Sequence, residues 1–407
     1  MTFQPVHLFP IDVQDPQTGL VPTSLPTAGY LSSPQIATAY NIPASTGYGI
    51  KIAIFSFGGG FLQSDLNKSF ADLQAAGLIS SSLTAPTIRQ VLLDGQTGTF
   101  SLSPDNGSGE NTVDIFCLAC IVPQAEISIY IGNQISSMVA QAISDGVHIC
   151  SMSWGSSEYT GDEIHFQQLA DAKIAFLASS GDYGSVVSSG ATTEGVVYPA
   201  SSPYAIGVGG TKLTLTVANN RSSETDDNRD SGFGSTWGGG GGVSATFNLP
   251  SWQSGLFYTP ITNGVTGSPT ALMMRGVPDI ASPMNAYALY INGSIGGYGG
   301  TSLACPTLAG ILARNLQLTG VRRSSPDWNA IAYAHTAAFY DITVGTNNTK
   351  ITSGYKGTSG WDPVTGLGPP TGKLIYQIIR TGSVFPKQNY GFRTTGPTYP
   401  RKTTGAR

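Results

Sequence analysis

The residues of this sequence that could do chemistry together are one serine and a pair of carboxylates. Ser302 sits in GGTSLACPTLA, residues 299–309. The glycines before it permit close backbone approach and unusual dihedrals, and Pro306 suits the first turn of a helix that runs on through LAGILARNLQL. A hydroxyl at a helix N-terminus has backbone N–H groups and the positive end of the helix dipole beside it. Both stabilise negative charge on an attacking or departing oxygen. Gly-Thr-Ser would serve equally well as the cap of a core helix, so the decision rests on what could take the proton from Ser302.

The usual base is histidine, and the four histidines fit poorly: His7 precedes the structured region, His148 opens a buried strand, His165 lies on a helix and His335 is far towards the C-terminus. A carboxylate is the other option. Glu110 and Asp114 are spaced i, i+4 at the start of a predicted helix, so they share a face and couple their titrations. Acids at that position also serve a purely structural purpose by complementing the helix dipole.

The elements that must position these groups alternate. The hydrophobic pattern predicts strands over 51–57, 88–93, 126–130, 148–154 and 174–178, and helices over 65–77, 111–121, 136–144 and 164–172. Repeated βα units imply a parallel sheet with helices on both faces, an α/β fold whose sites form at the carboxyl ends of strands. Ser153-Trp154-Gly155 and Ser180-Gly181-Asp182 stand at two such ends. Beyond Tyr204 the sequence reads as Gly-rich loops and short strands that would wall a cleft.

Composition narrows the class. With 407 residues the chain can bury a large core, and no linker interrupts its middle. Only 11% of residues are charged, which limits repulsion when carboxylates protonate and so suits an acidic environment. The net charge of −4 argues against a nucleic-acid partner. No apolar run approaches the roughly 18 residues of a membrane span, and a monomer is expected. Residues 1–28 contain five prolines, no Lys or Arg and no apolar signal segment, and read as an extended arm. After Asp362 no acid follows but seven Lys or Arg do, so residues 377–407 read as a flexible basic tail. Cys117, Cys120, Cys150 and Cys305 all sit in apolar surroundings and read as buried free thiols. Asn67, Asn106, Asn220, Asn292 and Asn347 open N-x-S/T sequons.

Three segments together carry a family resemblance. Glu110-Asn-Thr-Val-Asp114, ASSGD at 178–182 and GGTSLACP around Ser302 resemble the signature blocks of the sedolisins, the serine-carboxyl peptidases. The likeness extends over about residues 31–376 and includes AYNIPA from Ala39, SMSWG from Ser151, VGGT from Val208, GGGVS from Gly240, PSWQ from Pro250 and RGVPDIA from Arg275. It implies a subtilisin-like fold, one peptidase domain over 29–376, Ser302 as nucleophile, Glu110 and Asp114 as the activating pair, and Asp182 as the acid of the oxyanion site. Tyr183 departs from the serine frequent in the family, which touches cleft shape more than chemistry.

With those roles Glu110 would take the Ser302 proton while Asp114 shares its own, and Asp182 would be protonated in order to donate to the oxyanion. Carboxyl groups with reference pKa near 4 imply acid-acting hydrolysis of polypeptide substrates, and an acidic or extracellular compartment suits that chemistry. Serine-carboxyl endopeptidase action is the leading expectation. A tripeptidyl-peptidase of the same family and a non-catalytic binding protein on the same fold are the alternatives. The resemblance also implies one structural calcium ion in segment 341–368, held by the carboxylates of Asp341 and Asp362 and the carbonyls of Ile342, Thr358 and Gly360.

Overall fold

The run KIAIFS has no polar face, and such a run is stable only in a strand covered on both sides. In the computed structural model, which describes residues 3–5, 9–11, 22–25, 29–103, 106–226 and 237–381, it forms strand Lys51–Ser56 in the middle of an eight-stranded sheet. Across the sheet the strands run Arg221–Asp226, Ile206–Leu215, Ala175–Ser179, Ile149–Met152, Lys51–Ser56, Glu126–Ile131 and Arg89–Leu92, with Ile280–Pro283 also paired to Ile206–Leu215. Every pairing is parallel except that of Arg221–Asp226 with Ile206–Leu215.

The described helices are α1 (Ser33–Ala39), α2 (Gln63–Ala75), α3 (Ser108–Ile121), α4 (Ile135–Ser144), α5 (Glu163–Asp171), α6 (Thr301–Thr319), α7 (Ser325–Ala334) and α8 (Gly372–Thr381). Side-chain alternation along each strand feeds two cores. Ile52 and Ile54 join the cluster containing α3 and α6, whereas Ala53 and Phe55 join Met138, Val139 and Phe166 from α4 and α5 on the other face. The expected mostly parallel α/β architecture is therefore present. All four cysteines are buried and free, as expected.

Three local expectations are corrected. The strand expected over 148–154 ends at Met152 and resumes as the two-residue strand Trp154–Gly155; Ser153 between them donates its hydroxyl to Asp114. The region after Tyr204, expected as Gly-rich loops and short strands, opens with Ile206–Leu215, a ten-residue strand of the central sheet. Gly210 in this strand makes room for Met284, since a Cβ would lie 1.8 Å from the Met284 sulfur. Helix α6 begins at Thr301, so Pro306 lies in its second turn, not its first.

Short strands Gln4–Pro5 and Phe9–Ile11 belong to the expected arm and pair antiparallel with Trp154–Gly155 and with Gly297–Gly299. The rest of the arm is described only at residues 3 and 22–25, and of the basic tail residues 382–407 lie outside the described residues. The tail boundary expected at 376 falls inside α8. Of the sequons, Asn347 is buried and donates to the carbonyls of Gly241 (3.0 Å) and Pro363 (3.2 Å), which closes it to a glycan.

One buried ion pair ties the sheet to α7. Arg275 and Asp279 are both fully buried and bonded at 2.5 Å. Asp279 also accepts the N–H of Gly207 at 2.7 Å and the hydroxyl of Tyr333 at 3.0 Å. Removing one partner of such a pair strands a desolvated charge, at a typical cost of about 3–5 kcal/mol. We expect Asp279→Ala to lower the unfolding free energy by that order in urea titration, and Arg275→Met/Asp279→Leu to recover much of the loss.

Candidate active site

Helices α3 and α6 lie side by side with both N-termini at the carboxyl ends of the strands. Contact is close because α6 carries Gly310 where a Cβ would lie 2.1 Å from the Ile121 side chain of α3. The Arg314 side chain of α6 then donates to the Ile121 carbonyl at 2.8 Å, closing the C-terminal end of α3. At the other end the start of α3 is fastened to the strand before it. Ser56 Oγ donates to Asn111 Oδ1 at 2.6 Å, Asn111 Nδ2 donates to the Gly58 carbonyl at 2.9 Å, and the Gly60 N–H donates to Ser108 Oγ at 3.0 Å.

These anchors bring all four expected catalytic residues together. Glu110, Asp114, Asp182 and Ser302 are all buried. Both Glu110 oxygens lack a closed hydrogen bond, and the groups near enough to act on it are Asp114, the hydroxyls of Ser302 and Ser153, and Asp182. Burial first, then the Asp114 charge, pushes Glu110 well above the usual carboxylate range, while the Ser302 hydroxyl draws it back down. Asp114 is raised in the same direction by burial and opposed by Ser153, whose Oγ donates to Asp114 Oδ1 at 2.7 Å. Two neighbouring buried carboxyls cannot both ionise cheaply, so burial and mutual repulsion favour a protonated form of the pair.

Asp182 arrives from the end of strand Ala175–Ser179. Its Oδ1 accepts the Thr301 N–H at 2.6 Å and the Thr301 hydroxyl at 2.8 Å, while its Oδ2 is buried without a hydrogen-bond partner. Burial pushes Asp182 up to about 7, against the two Thr301 donors. Gly300, with φ of 136°, makes the turn that puts Thr301 and Ser302 at the helix mouth. Histidine plays no part among the described residues of the site. His148 lies at the opposite end of its strand from Ser153 and accepts the Lys51 N–H at 2.9 Å.

Two positioning residues escaped the sequence reading. Pro306 has no N–H to give the Ser302 carbonyl four residues back, and Ser153 Oγ lies 3.5 Å from that carbonyl. Ser153 thus touches both Asp114 and the backbone of Ser302. Thr301 holds Asp182 while its carbonyl accepts Ser179 Oγ at 3.0 Å. The break in the SMSWG strand and the threonine of GGTS were the available signals, and neither stands out from ordinary core serines and threonines.

A model of the subtilase family (Peptidase S8) matches residues 128–355, over half of the chain, a range that includes Asp182 and Ser302 and begins after Glu110 and Asp114. Kumamolisin of Bacillus sp. (strain MN-32) is 33% identical over 334 residues, covering 77% of this chain and 57% of kumamolisin. The chain belongs to the subtilase family, among the sedolisins. Sedolisin of Pseudomonas sp. (strain 101) is 33% identical over 190 residues, 43% of this chain and 31% of that protein. Tripeptidyl-peptidase sed5 of Aspergillus fumigatus is 26% identical over 383 residues, 84% of this chain and 64% of that protein. This sedolisin-family chain therefore spans a third to two-thirds of these relatives' lengths. The solved structure of Pseudomonas sedolisin, a serine-carboxyl proteinase complexed with two molecules of pseudo-iodotyrostatin, shares the fold with a TM-score of 0.69 at 24% identity, covering 88% of this chain and all of that one.

The expected calcium segment is also assembled. Asp362 is fully buried and accepts the N–H groups of Thr358 (2.8 Å), Val364 (2.9 Å) and Thr365 (2.9 Å). Asp341 accepts the Gly360 N–H at 2.9 Å, which ties it to the same loop. Burial, with the Asp341 charge adding to it, pushes Asp362 up to about 7. No group of three or more His, Cys, Asp or Glu forms a metal cluster among the described residues, so a cation here would rest on two carboxylates and backbone carbonyls. That donor set fits a hard cation such as calcium, whose charge would offset the two acids.

The buried carboxyls of this site make stability depend on pH. An acid whose pKa is raised by folding binds its proton more tightly in the native state, so its contribution is complete below the unfolded value near 4 and is lost as pH rises through the folded value. For Asp182 that window runs from about 4 to about 7. We expect a Ser302→Ala protein, chosen to avoid self-digestion, to be less stable in urea at pH 8 than at pH 4. Asp182→Asn in that background should remove a few kcal/mol of the difference, at about 1.4 kcal/mol per pKa unit.

Proposed function

We propose that this sedolisin-family protein is a serine-carboxyl endopeptidase that cuts polypeptides in acid. The observation that carries the reading is the burial of Glu110 beside both Asp114 and the Ser302 hydroxyl, with the open oxygen of Asp182 nearby. Glu110 takes the proton of Ser302 Oγ as that oxygen attacks the peptide carbonyl, and Asp114 shares its proton to keep a single charge on the pair. Protonated Asp182 donates to the tetrahedral oxyanion, and the N-terminus of α6 adds its dipole. Glu110 then passes its proton to the leaving amine, which departs as the acyl-enzyme forms. A water molecule attacks the ester with Glu110 again as base, releasing the acid product and restoring Ser302.

Calcium, if held by the carboxylates of Asp341 and Asp362 and the carbonyls of Ile342, Thr358 and Gly360, supplies charge compensation to a loop distant in sequence from Ser302. Its effect is then on stability, by preferential binding to the native state. The protein's own part is to fix the loop: Asp362 does so through its three backbone donors, and Asp341 is tied to the same loop by the Gly360 N–H.

Ser302→Ala and Glu110→Gln should each reduce hydrolysis of an unfolded protein substrate at pH 4 by about a thousandfold or more, with the melting curve retained. Full activity in either variant would end this assignment. Wild-type activity should fall as pH rises through about 7, where Asp182 loses the proton it donates. A neutral or alkaline optimum would contradict the mechanism. Near neutral pH, excess chelator should lower the melting temperature and added calcium restore it, while Asp362→Ala should be insensitive to both. Equal melting temperatures with calcium and with chelator would remove the metal site.

A further inference from the structure

A second concave site lies at the other end of the sheet. Ser153 and Asp182 follow the carboxyl ends of their strands, whereas His148 and Ala175, at the amino ends of the same two strands, line an open cleft. The rise of α6 from Ser302 to Leu316, which also lines the cleft, is about 20 Å at 1.5 Å per residue. The apolar lining includes Leu312 and Leu316 of α6, Trp328 of α7 and Ile379 of α8. The polar lining is entirely basic: His148, Arg322 and Arg323. Backbone groups hold all three. Arg322 Nη2 donates to the carbonyls of Val147 (3.0 Å) and Ala172 (3.3 Å), and Arg323 Nη2 to that of Ile379 (3.1 Å). The Lys51 N–H donates to His148 Nδ1 at 2.9 Å, so Nε2 carries the proton of the neutral ring. Among the described residues none of the three has a carboxylate partner, and Arg323 Nε is buried without a hydrogen bond. A buried N–H left without an acceptor costs stability, and an anion in the cleft would supply one.

We propose that this cleft is a second binding site, which takes an aliphatic carboxylate: the acid group meets Arg322, Arg323 and His148, and a short branched chain packs on Leu312, Leu316 and Trp328. Two sources carry that chemistry, a free branched-chain acid and the carboxyl-terminal Leu or Val of a peptide. Charge and apolar contact each contribute. A guanidinium fork matches a carboxylate with two parallel hydrogen bonds, while the apolar wall separates an aliphatic acid from acetate or inorganic phosphate. Size sets the length of the chain. The interior volume is about 30 Å³, where one water needs roughly 10–15 Å³, so the cleft takes the branched end of a side chain and excludes a long acyl chain. Burial first, then Arg322 and Lys51, hold His148 below its usual range, with Glu126 opposing them. A bound carboxylate would oppose them as well and draw His148 upwards. Cleavage of polypeptides creates such carboxyl ends, but the site stands whether or not Ser302 is active.

Calorimetry on the full chain carrying Ser302→Ala, at pH 6 where carboxylates are ionised, tests this with four probes: 3-methylbutanoate, acetate, N-acetyl-Ala-Leu and the C-terminal amide of that dipeptide. We expect 3-methylbutanoate to bind about tenfold more tightly than acetate, or the dipeptide acid about tenfold more tightly than its amide. Binding of 3-methylbutanoate alone assigns the site to free acids, and binding of the dipeptide acid assigns it to peptide ends. Leu316→Phe, which fills the interior and keeps the charges, should abolish binding of either acid, and Arg323→Gln should weaken it about tenfold. The location is read separately by NMR titration of the histidine rings, where saturating 3-methylbutanoate or dipeptide acid should raise the midpoint of His148 and leave that of His165 in place. The proposal is overturned if neither acid binds, if acetate and the amide bind as well as the two acids, or if the His148 midpoint does not move. Unchanged affinity in both Leu316→Phe and Arg323→Gln, with melting curves retained, would overturn it too.

Discussion

The structure depends on the side-by-side contact of α3 and α6. Two buried helices can lie this close only because α6 has no side chain at Gly310, where any Cβ would meet Ile121. The consequence appears at the other end of the pair, where the first turns of both helices meet at the carboxyl edge of the sheet. There Glu110 and Asp114 from one helix and Ser302 from the other are buried close to Asp182. Positive helix ends face that volume, so it favours negative charge on an oxygen while resisting the ionisation of more than one carboxyl.

The protein handles buried acids in two ways. Asp279 is matched by a guanidinium, two further donors and a backbone N–H, and serves to join the sheet to α7. Asp182 has only the two donors of Thr301, and one of its oxygens is left without a partner. A fold selected for stability alone would satisfy that oxygen. Leaving it open weakens the native state above the pH at which the proton is lost, and leaves a hydrogen-bond donor below it. A site made of such groups works where the acids hold their protons, which ties chemistry and stability to the same acidic range.

Strand edges complete the picture. Central strands are covered by neighbours on both sides, but Trp154–Gly155 is a two-residue edge that follows Ser153. An open edge invites pairing with any extended chain. Here the chain's own Gln4–Pro5 occupies it, and Phe9–Ile11 pairs with the strand leading into Ser302.

Much of this was legible in the residues themselves. Apolar runs such as KIAIFS have no alternative to a covered parallel strand. The three segments around Glu110, Asp182 and Ser302 pointed to a site through their resemblance to the sedolisin blocks, since a glycine-flanked serine and a carboxylate pair one turn apart also suit ordinary helix caps. Other features were decided by contacts between distant segments. The glycines of VGGT become strand through parallel pairing with Ala175–Ser179 and Ile280–Pro283, and Met284 packs into the space a side chain at Gly210 would need. Pro306 reads as a helix opener, but the fold starts the helix at Thr301 and so frees a carbonyl for Ser153, 149 residues away in the chain. The protonated form favoured by Glu110 and Asp114, the open oxygen of Asp182 and the stacking of Phe3 on Phe57 all arise from burial. Sequence order sets which groups are present and which are one helical turn apart, whereas the removal of water that shifts their acidity exists only once α3, α6 and the sheet have closed around them.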